Sequence, residues 1–228
     1  MSGLEFHDVW KSYGAGRNAS PALNGLDLRI ERGEMIALVG PSGCGKTTLL
    51  NLAAGLDRPS RGEVRLDGRN MGEMKESELA RYRRKNVGFV FQSLNLLPAL
   101  TARENIELPL ALSGLDRTER TRRAAEMLES AGLADKAQSY PSDMSGGQQQ
   151  RVAILRALAH KPAYVFMDEP TAALDSRSAE GLMGLIAQLN RERRATILVA
   201  THDPRVAEKL SRIVRLLDGR VADGGKDD

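Results

Sequence analysis

MIALVGPSGCGKTTLLNLA, residues 35–53, decides how the rest of the chain is read. MIALV is a continuous apolar run, which suits a strand buried on both faces of a parallel sheet. GPSGCGKTT then places three glycines, one lysine and two threonines in nine residues. Gly40, Gly45, Lys46 and Thr47 satisfy the pattern G-x-x-x-x-G-K-[ST], in the strand–loop–helix context it needs, with a helix predicted from Lys46 to Ala54. A phosphate chain has to be wrapped closely, and side chains would stand in the way. Bare backbone lets the N–H groups of Gly43, Cys44, Gly45, Lys46, Thr47 and Thr48, next to Ser42, converge on phosphate oxygens. The helix start turns its positive dipole end to the same anion. Lys46 is placed to bridge β- and γ-phosphates, and the Thr47 hydroxyl to ligate Mg²⁺.

Working outward, LEFHDVW (4–10), LDLRI (26–30) and VGFVFQ (87–92) read as strands, and GEVRLDG (62–68) as a short exposed one. From about 93 to 160 helical patterns dominate, with Ala124, Leu128 and Ala131 on one face. This is the pattern of a helical insertion into an α/β core. The core resumes with AYVFMD (163–168), a helix over 176–193 striped by Leu182, Leu185, Ile186 and Leu189, and the strand ATILVAT (195–201); SRIVRLLDG then ends the sheet. AYVFMDE delivers Asp168 and Glu169 to the carboxyl edge of the sheet, beside the glycine loop. Asp168 is placed to hold Mg²⁺ through its water shell, and Glu169 to polarise an attacking water as general base.

DMSGGQQQR (143–151) narrows the class. SGGQ opening a helix makes a second anion site from the Ser145 hydroxyl and the Gly146 and Gly147 backbone. A second phosphate site without a lysine makes sense if it faces the nucleotide of another subunit. The chain as a whole, from about residue 4 to 221, resembles the nucleotide-binding subunit of ATP-binding-cassette (ABC) transporters. MSGGQ is similar to the family signature, with Met144 where Leu is usual.

That resemblance implies a P-loop NTPase fold with a RecA-like parallel core, a small antiparallel β subdomain and an inserted α-helical subdomain. It divides a single domain into 1–92 and 161–228 as nucleotide-binding core and 93–160 as signature subdomain. It implies ATP and Mg²⁺ as cofactors. It assigns Gln92 to Mg²⁺ and the attacking water, Tyr13 to adenine stacking, and His202 to the γ-phosphate. Gln148 belongs to the signature, and Asp175 to the ALD segment (173–175) that crosses a dimer interface. The implied assembly is a homodimer closed around two ATP, docked on a transmembrane permease at the cytoplasmic face of the cell membrane.

FVFQSLNLLPALTARENIELPL (89–110), GLDRPSRGEVRLDG and SGGQQQRVAILRAL are similar to lipoprotein-releasing and macrolide-efflux-type ATPases. Leu94, Leu96, Leu97 and Pro98 are the candidate apolar lining for the permease's coupling helix; packing within the helical subdomain is the competing role. MDEPTAALD is similar to importer cassettes, so a polar amino-acid importer is an alternative, as is a cassette signalling to a cell-wall enzyme.

Composition bounds these readings. Apolar residues make up 41% and charged residues 28%, in a globular range. No apolar run approaches the ~20 residues of a membrane span. Net charge is only +3, and the basic runs RYRRK, RTERTRR and RERR read as solvated helix faces, so no nucleic-acid partner is expected. A lone cysteine, Cys44, excludes an internal disulfide and reads as a small filler of the loop.

Overall fold

The computed structural model describes residues 3–14, 20–172 and 174–222, apart from the side chains of Arg177, Leu189 and Arg193. Ala173 of the ALD segment and the Leu189 side chain of the predicted stripe therefore lie outside the described residues.

Two sheets and a helical group carry the fold. The first sheet is antiparallel, in the order β2 (Ser20–Ile30), β1 (Leu4–Tyr13), β4 (Arg61–Leu66), β5 (Arg69–Asn70). The second has six strands, in the order β10 (Arg220–Val221), β9 (Arg212–Leu217), β3 (Met35–Val39), β8 (Thr196–Ala200), β7 (Tyr164–Asp168), β6 (Val87–Val90). Its four pairings from β9 to β6 are parallel, and the β9–β10 hairpin at its edge is antiparallel. YVFMD and TILVA are buried at every position, which is why these strands carry no polar alternation.

Helix α1 (Lys46–Ala53) lies between the sheets and buries Thr48, Leu49, Leu50, Leu52 and Ala53. It shares a core with Leu4, Phe6 and Ile30 of the first sheet and Tyr164, Phe166 and Leu198 of the second. The opposite face of the parallel sheet is covered by α6 (Ser176–Arg193) and the short α7 (Pro204–Ala207), through Leu182, Met183, Ile186 and Val206. Helices α3 (Ala102–Leu112), α4 (Arg117–Ser130) and α5 (Gly146–Leu158) have a core of their own, built on Ile106, Leu110, Ala124, Leu128, Val152 and Leu155. Fully buried side chains such as Ile106 and Leu128 each contribute about 2 kcal/mol by leaving water.

Two expectations change. GEVRLDG is half-buried rather than exposed, since Val64 and Leu66 turn into the core between the sheets. VGFVFQ stops as a strand at Val90, so Gln92 sits in a turn beyond it. RYRRK is the solvated helix face expected of it, within a longer helix, α2 (Glu76–Asn86). Only Leu79 of α2 is buried, so it carries little apolar periodicity. Its acids lie in the first turn and Arg83, Arg84 and Lys85 in the last, an order that favours the helix dipole.

Register lines up the carboxyl ends of the central strands. Leu38 pairs with Ala200, Ala200 with Asp168, and Met167 with Val90. The segments that follow, from Gly40, Gln92, Glu169 and Thr201, therefore leave the sheet at one edge, where ligands of open α/β sheets bind.

Candidate active site

A cleft of about 400 Å³ opens at that edge. Its walls include Gly40, Ser42, Gly43, Gly45, Lys46, Thr47 and Thr48 from the glycine loop, with Gln92, Asp168, Glu169 and His202 opposite. Sequence-remote residues are thus brought together as expected.

The loop's shape follows from its glycines. Gly45 has φ +106, and a Cβ there would lie 2.5 Å from the Ala22 carbonyl oxygen of β2. Gly43 has φ +79 with open space around it, so what it needs is the left-handed backbone rather than room. Gly45 caps α1 without a side-chain hydrogen bond, and the first turn of α1 holds no acid. The helix start therefore keeps its N–H groups and positive end for an anion. Lys46 Nζ donates to the carbonyls of Gly40 (2.7 Å) and Pro41 (3.0 Å). Among the described residues it forms no salt bridge, and its charge faces the cleft, where it also acts on the Asp168 carboxylate.

Cys44 is the exception within the loop. Its side chain is buried in the core between the sheets, and its N–H donates to the Pro41 carbonyl at 3.3 Å. It does not line the cleft, and the filler role fits it.

Asp168 is only 4% exposed and accepts a 2.7 Å hydrogen bond from Thr47 Oγ1. Burial, reinforced by the neighbouring Glu169 carboxylate, lifts its pKa above the ordinary value despite that bond. A buried carboxylate beside a hydroxyl is a hard oxygen pair suited to Mg²⁺. No cluster of three or more His, Cys, Asp or Glu forms a metal cage among the described residues. Mg²⁺ needs none when one or two protein oxygens act together with substrate phosphates.

Glu169 follows its strand with φ +50, an unusual backbone for a side-chain-bearing residue. Its N–H donates to Ala200 O at 2.9 Å, which pins it to β8. Its Oε2 lies 2.9 Å from His202 Nδ1. The Glu169 carboxylate raises the His202 pKa, although the imidazole itself is 76% exposed.

Other predicted residues lie elsewhere. Tyr13 is 44% exposed and outside the cleft wall. Its hydroxyl donates to Asp57 Oδ2 (3.1 Å), and Lys11 Nζ stands 4.9 Å from its ring centroid. Asp175 caps α6, accepting from Ser178 N at 2.9 Å. It lines a larger cavity, about 670 Å³, between α5 and α6, which has none of the glycine loop in its wall.

Ser145 caps α5 in a capping box. Its N–H donates to Gln148 Oε1 (2.9 Å), and its Oγ accepts from Gln148 N (3.4 Å). Ser145 and Gly146 are exposed, and residues 145–148 take no part in the cleft wall. Sequence reading missed Ala22, whose carbonyl closes on Gly45, and Arg156, which bonds the carbonyls after Gln92. Neither carries a motif; both act on backbone.

Comparison with known proteins agrees with this geometry. The family model described as ABC transporter matches residues 23–172. An uncharacterized ABC transporter ATP-binding protein of Methanocaldococcus jannaschii, MJ1508, is 47% identical over 96% of this chain and 98% of its own length. The bacitracin export ATP-binding protein BceA of Halalkalibacterium halodurans is 43% identical over 97% of this chain and 87% of its own. The macrolide export ATP-binding/permease protein MacB of Marinobacter nauticus is 46% identical, but the match spans only 34% of that longer protein. Among solved structures, the dimeric post-hydrolysis state of the cassette MJ0796 bound to ADP and Pi superposes with a TM-score of 0.92, at 44% identity over 96% of both chains. Likeness on this scale, over a loop shaped to wrap phosphates, makes the chain a member of the ABC transporter family, an ATP-hydrolysing cassette that works with Mg²⁺.

Proposed function

We propose that this cassette is the motor of an export-type membrane permease, and that two copies close head to tail around two ATP. Each site then joins the glycine loop of one copy to Ser145 and Gly147 of the other. The observation that carries this reading is the signature stretch itself. Its Ser145 and Gly146 are exposed, residues 145–148 lie outside the cleft wall, and among the described residues the Gly146 and Gly147 N–H groups have no intrachain acceptor. The two export proteins among the relatives support the direction of transport.

In this reading Lys46 and the loop N–H groups fix the phosphates. Thr47 and Asp168 hold the metal, with Gln92 reaching it from the turn after β6. Bound Mg²⁺ neutralises charge on the β- and γ-phosphate oxygens. The Glu169 carboxylate takes the proton from the attacking water, and His202 holds that carboxylate in place through its Oε2. Tyr13 offers the adenine its ring face away from Lys11. The division into 1–92 with 161–228 and 93–160 assigns α3–α5 to a unit that moves against the core. Leu97 is the proposed permease contact. Its backbone is pinned on both sides by Asn105, while its side chain is 42% exposed. Leu96, in contrast, packs into the helical core. Docking on the permease would hold the cassette at the cytoplasmic membrane face; no helix among the described residues is long and apolar enough to cross a membrane.

Mixing two crippled chains tests the pairing. Lys46→Ala removes the charge of one half-site and Gly147→Asp sets a carboxylate against the anion in the other. Each alone is expected to be inactive. A confirmed heterodimer of the two should recover one working site, and silence from that heterodimer rejects the head-to-tail arrangement. Leu97→Glu should keep nucleotide binding and lose stimulation by the permease; normal stimulation rejects that contact.

A further inference from the structure

The segment after Gln92 is held in an unusual shape. Leu94 N donates to Phe91 O (2.9 Å), closing a turn with Gln92 and Ser93 at its centre. Leu94 and Asn95 are consecutive residues with φ +62 and +47, a region that L side chains rarely enter and almost never in pairs. No glycine relieves it. Arg156 sits in the last turn of α5 and supplies what the local sequence lacks. Its Nη2 donates to Leu94 O at 2.7 Å and its Nη1 to Asn95 O at 2.5 Å. Among the described residues Arg156 has no acidic partner; a largely buried guanidinium is given over to two backbone carbonyls. The planar fork of the guanidinium, two donors at fixed spacing, suits adjacent carbonyls in a way that an ammonium does not.

We infer that Arg156 is a positioning residue for ATP hydrolysis: it clamps the Leu94–Asn95 carbonyls and thereby sets where Gln92 stands in the cleft. The same helix begins at Ser145, so α5 ties the signature at its start to the Gln92 turn near its end, a span of roughly 16 Å at helical rise. This inference rests on the proposed role of Gln92 at the metal and the attacking water.

Steady-state Mg²⁺-ATPase assays on the full chain test it, with Arg156→Gln, Arg156→Lys, Gln92→Ala and the double variant Arg156→Gln/Gln92→Ala. Arg156→Gln is expected to lower kcat by on the order of 10- to 100-fold, the cost of a misplaced group, and to raise the Mg²⁺ concentration for half-maximal rate. Nucleotide affinity should stay within about twofold, because the glycine loop is untouched. The double variant should be no slower than Gln92→Ala alone, since both changes remove one function. Arg156→Lys, which reaches one carbonyl at a time, should fall between wild type and Arg156→Gln in both kcat and Mg²⁺ requirement; it also serves if the glutamine variant does not fold. Wild-type kcat and Mg²⁺ dependence in Arg156→Lys and Arg156→Gln, with Gln92→Ala impaired, overturns the clamp. Multiplicative losses in the double variant overturn it too, by showing that Arg156 acts elsewhere. A harmless Gln92→Ala overturns the role of Gln92 itself, and the clamp's catalytic meaning with it.

Discussion

The glycine-loop cleft and the signature stretch both offer a helix start to an anion, yet they are prepared in opposite ways. In the cleft the groups are fixed before any ligand arrives. Lys46 is held by two carbonyls, Thr47 by Asp168, and Glu169 by β8 and His202. At the signature, Ser145 and Gln148 satisfy each other, and among the described residues the Gly146 and Gly147 N–H groups have no intrachain acceptor. The capping box still serves binding. It engages the N–H groups at Ser145 and Gln148, leaving those of Gly146 and Gly147 directed outward, and the Ser145 hydroxyl proton can still be donated. In the proposed arrangement one region serves chemistry and the other contact, so damage to the two should look different.

The sharpest separation comes from Glu169→Gln. The amide keeps its size and can still face His202, but it cannot take a proton. Hydrolysis should slow by on the order of 100-fold or more while ATP still binds. Size-exclusion chromatography with ATP and Mg²⁺ should then show a trapped dimer. A variant that hydrolyses normally removes Glu169 from the base role, and one that stays monomeric breaks the contrast between the two regions.

Ser145→Ala strikes the other side. Losing one hydrogen bond to a charged phosphate should slow hydrolysis by about 10-fold. ATP affinity of the single chain should not change, because the cleft does not include residue 145. Loss of the cap costs about 1 kcal/mol, which lowers Tm by roughly 2–4 °C. Weakened ATP binding in the monomer would mean that the two regions meet within one chain.

Much of this contrast was legible in the sequence, and the parts that were not share a physical cause. MIALV and AYVFMD read correctly because a strand buried on both faces has no polar positions to confuse the pattern. Asp168 and Glu169 could be placed because one ends such a strand and the other follows it, and His202 lies two residues past another. SGGQ could be read as a helix start that lacks a partner. The failures lie where backbone rather than side-chain pattern decides. The start of α2, ahead of RYRRK, leaves little trace, because the helix buries one residue and shows only acids first and bases last. Cys44, by contrast, takes the filler role expected of it and turns inward, because Gly40 leaves its sulfur room: a Cβ on Gly40 would lie 2.7 Å from Sγ. Arg156 bonds carbonyls 62 and 61 residues away, and no pattern of residue types records where a carbonyl points.

Preparation of the cleft should also be visible as instability. Asp168 has its pKa raised by burial, so its ionised form is less favourable folded than unfolded. The stability linked to this group is therefore present below the ordinary 3.8 and lost as pH rises through the higher folded value. At neutral pH, Asp168→Asn removes the penalty while its amide oxygen can still accept from Thr47. Nucleotide-free protein should gain on the order of 2 °C in Tm. Added Mg²⁺ and ATP should stabilise the wild type more than the variant. A lower Tm in Asp168→Asn would show that the charge is welcome there without metal, and would weaken the metal assignment.

The smallest effect belongs to His202, and it runs the other way in charge but the same way in pH. Its hydrogen bond and attraction to Glu169 raise the imidazole pKa above the ordinary 6.5. The protonated form is thus favoured in the fold, and its contribution is complete below 6.5 and fades as pH climbs through the raised value. Because the ring is largely exposed, solvent screens most of that interaction and salt screens more. The expected signature is a shallow fall in Tm above the ordinary imidazole value, in excess of the trend in His202→Gln, and shrinking at high salt. Ser145→Ala, which leaves the His202–Glu169 pair intact, should keep the same fall as the wild type. If His202→Gln tracks the wild type across that window, the His202–Glu169 contact is not an ion pair in solution, and Glu169 must be held in place by its backbone bond to β8 alone.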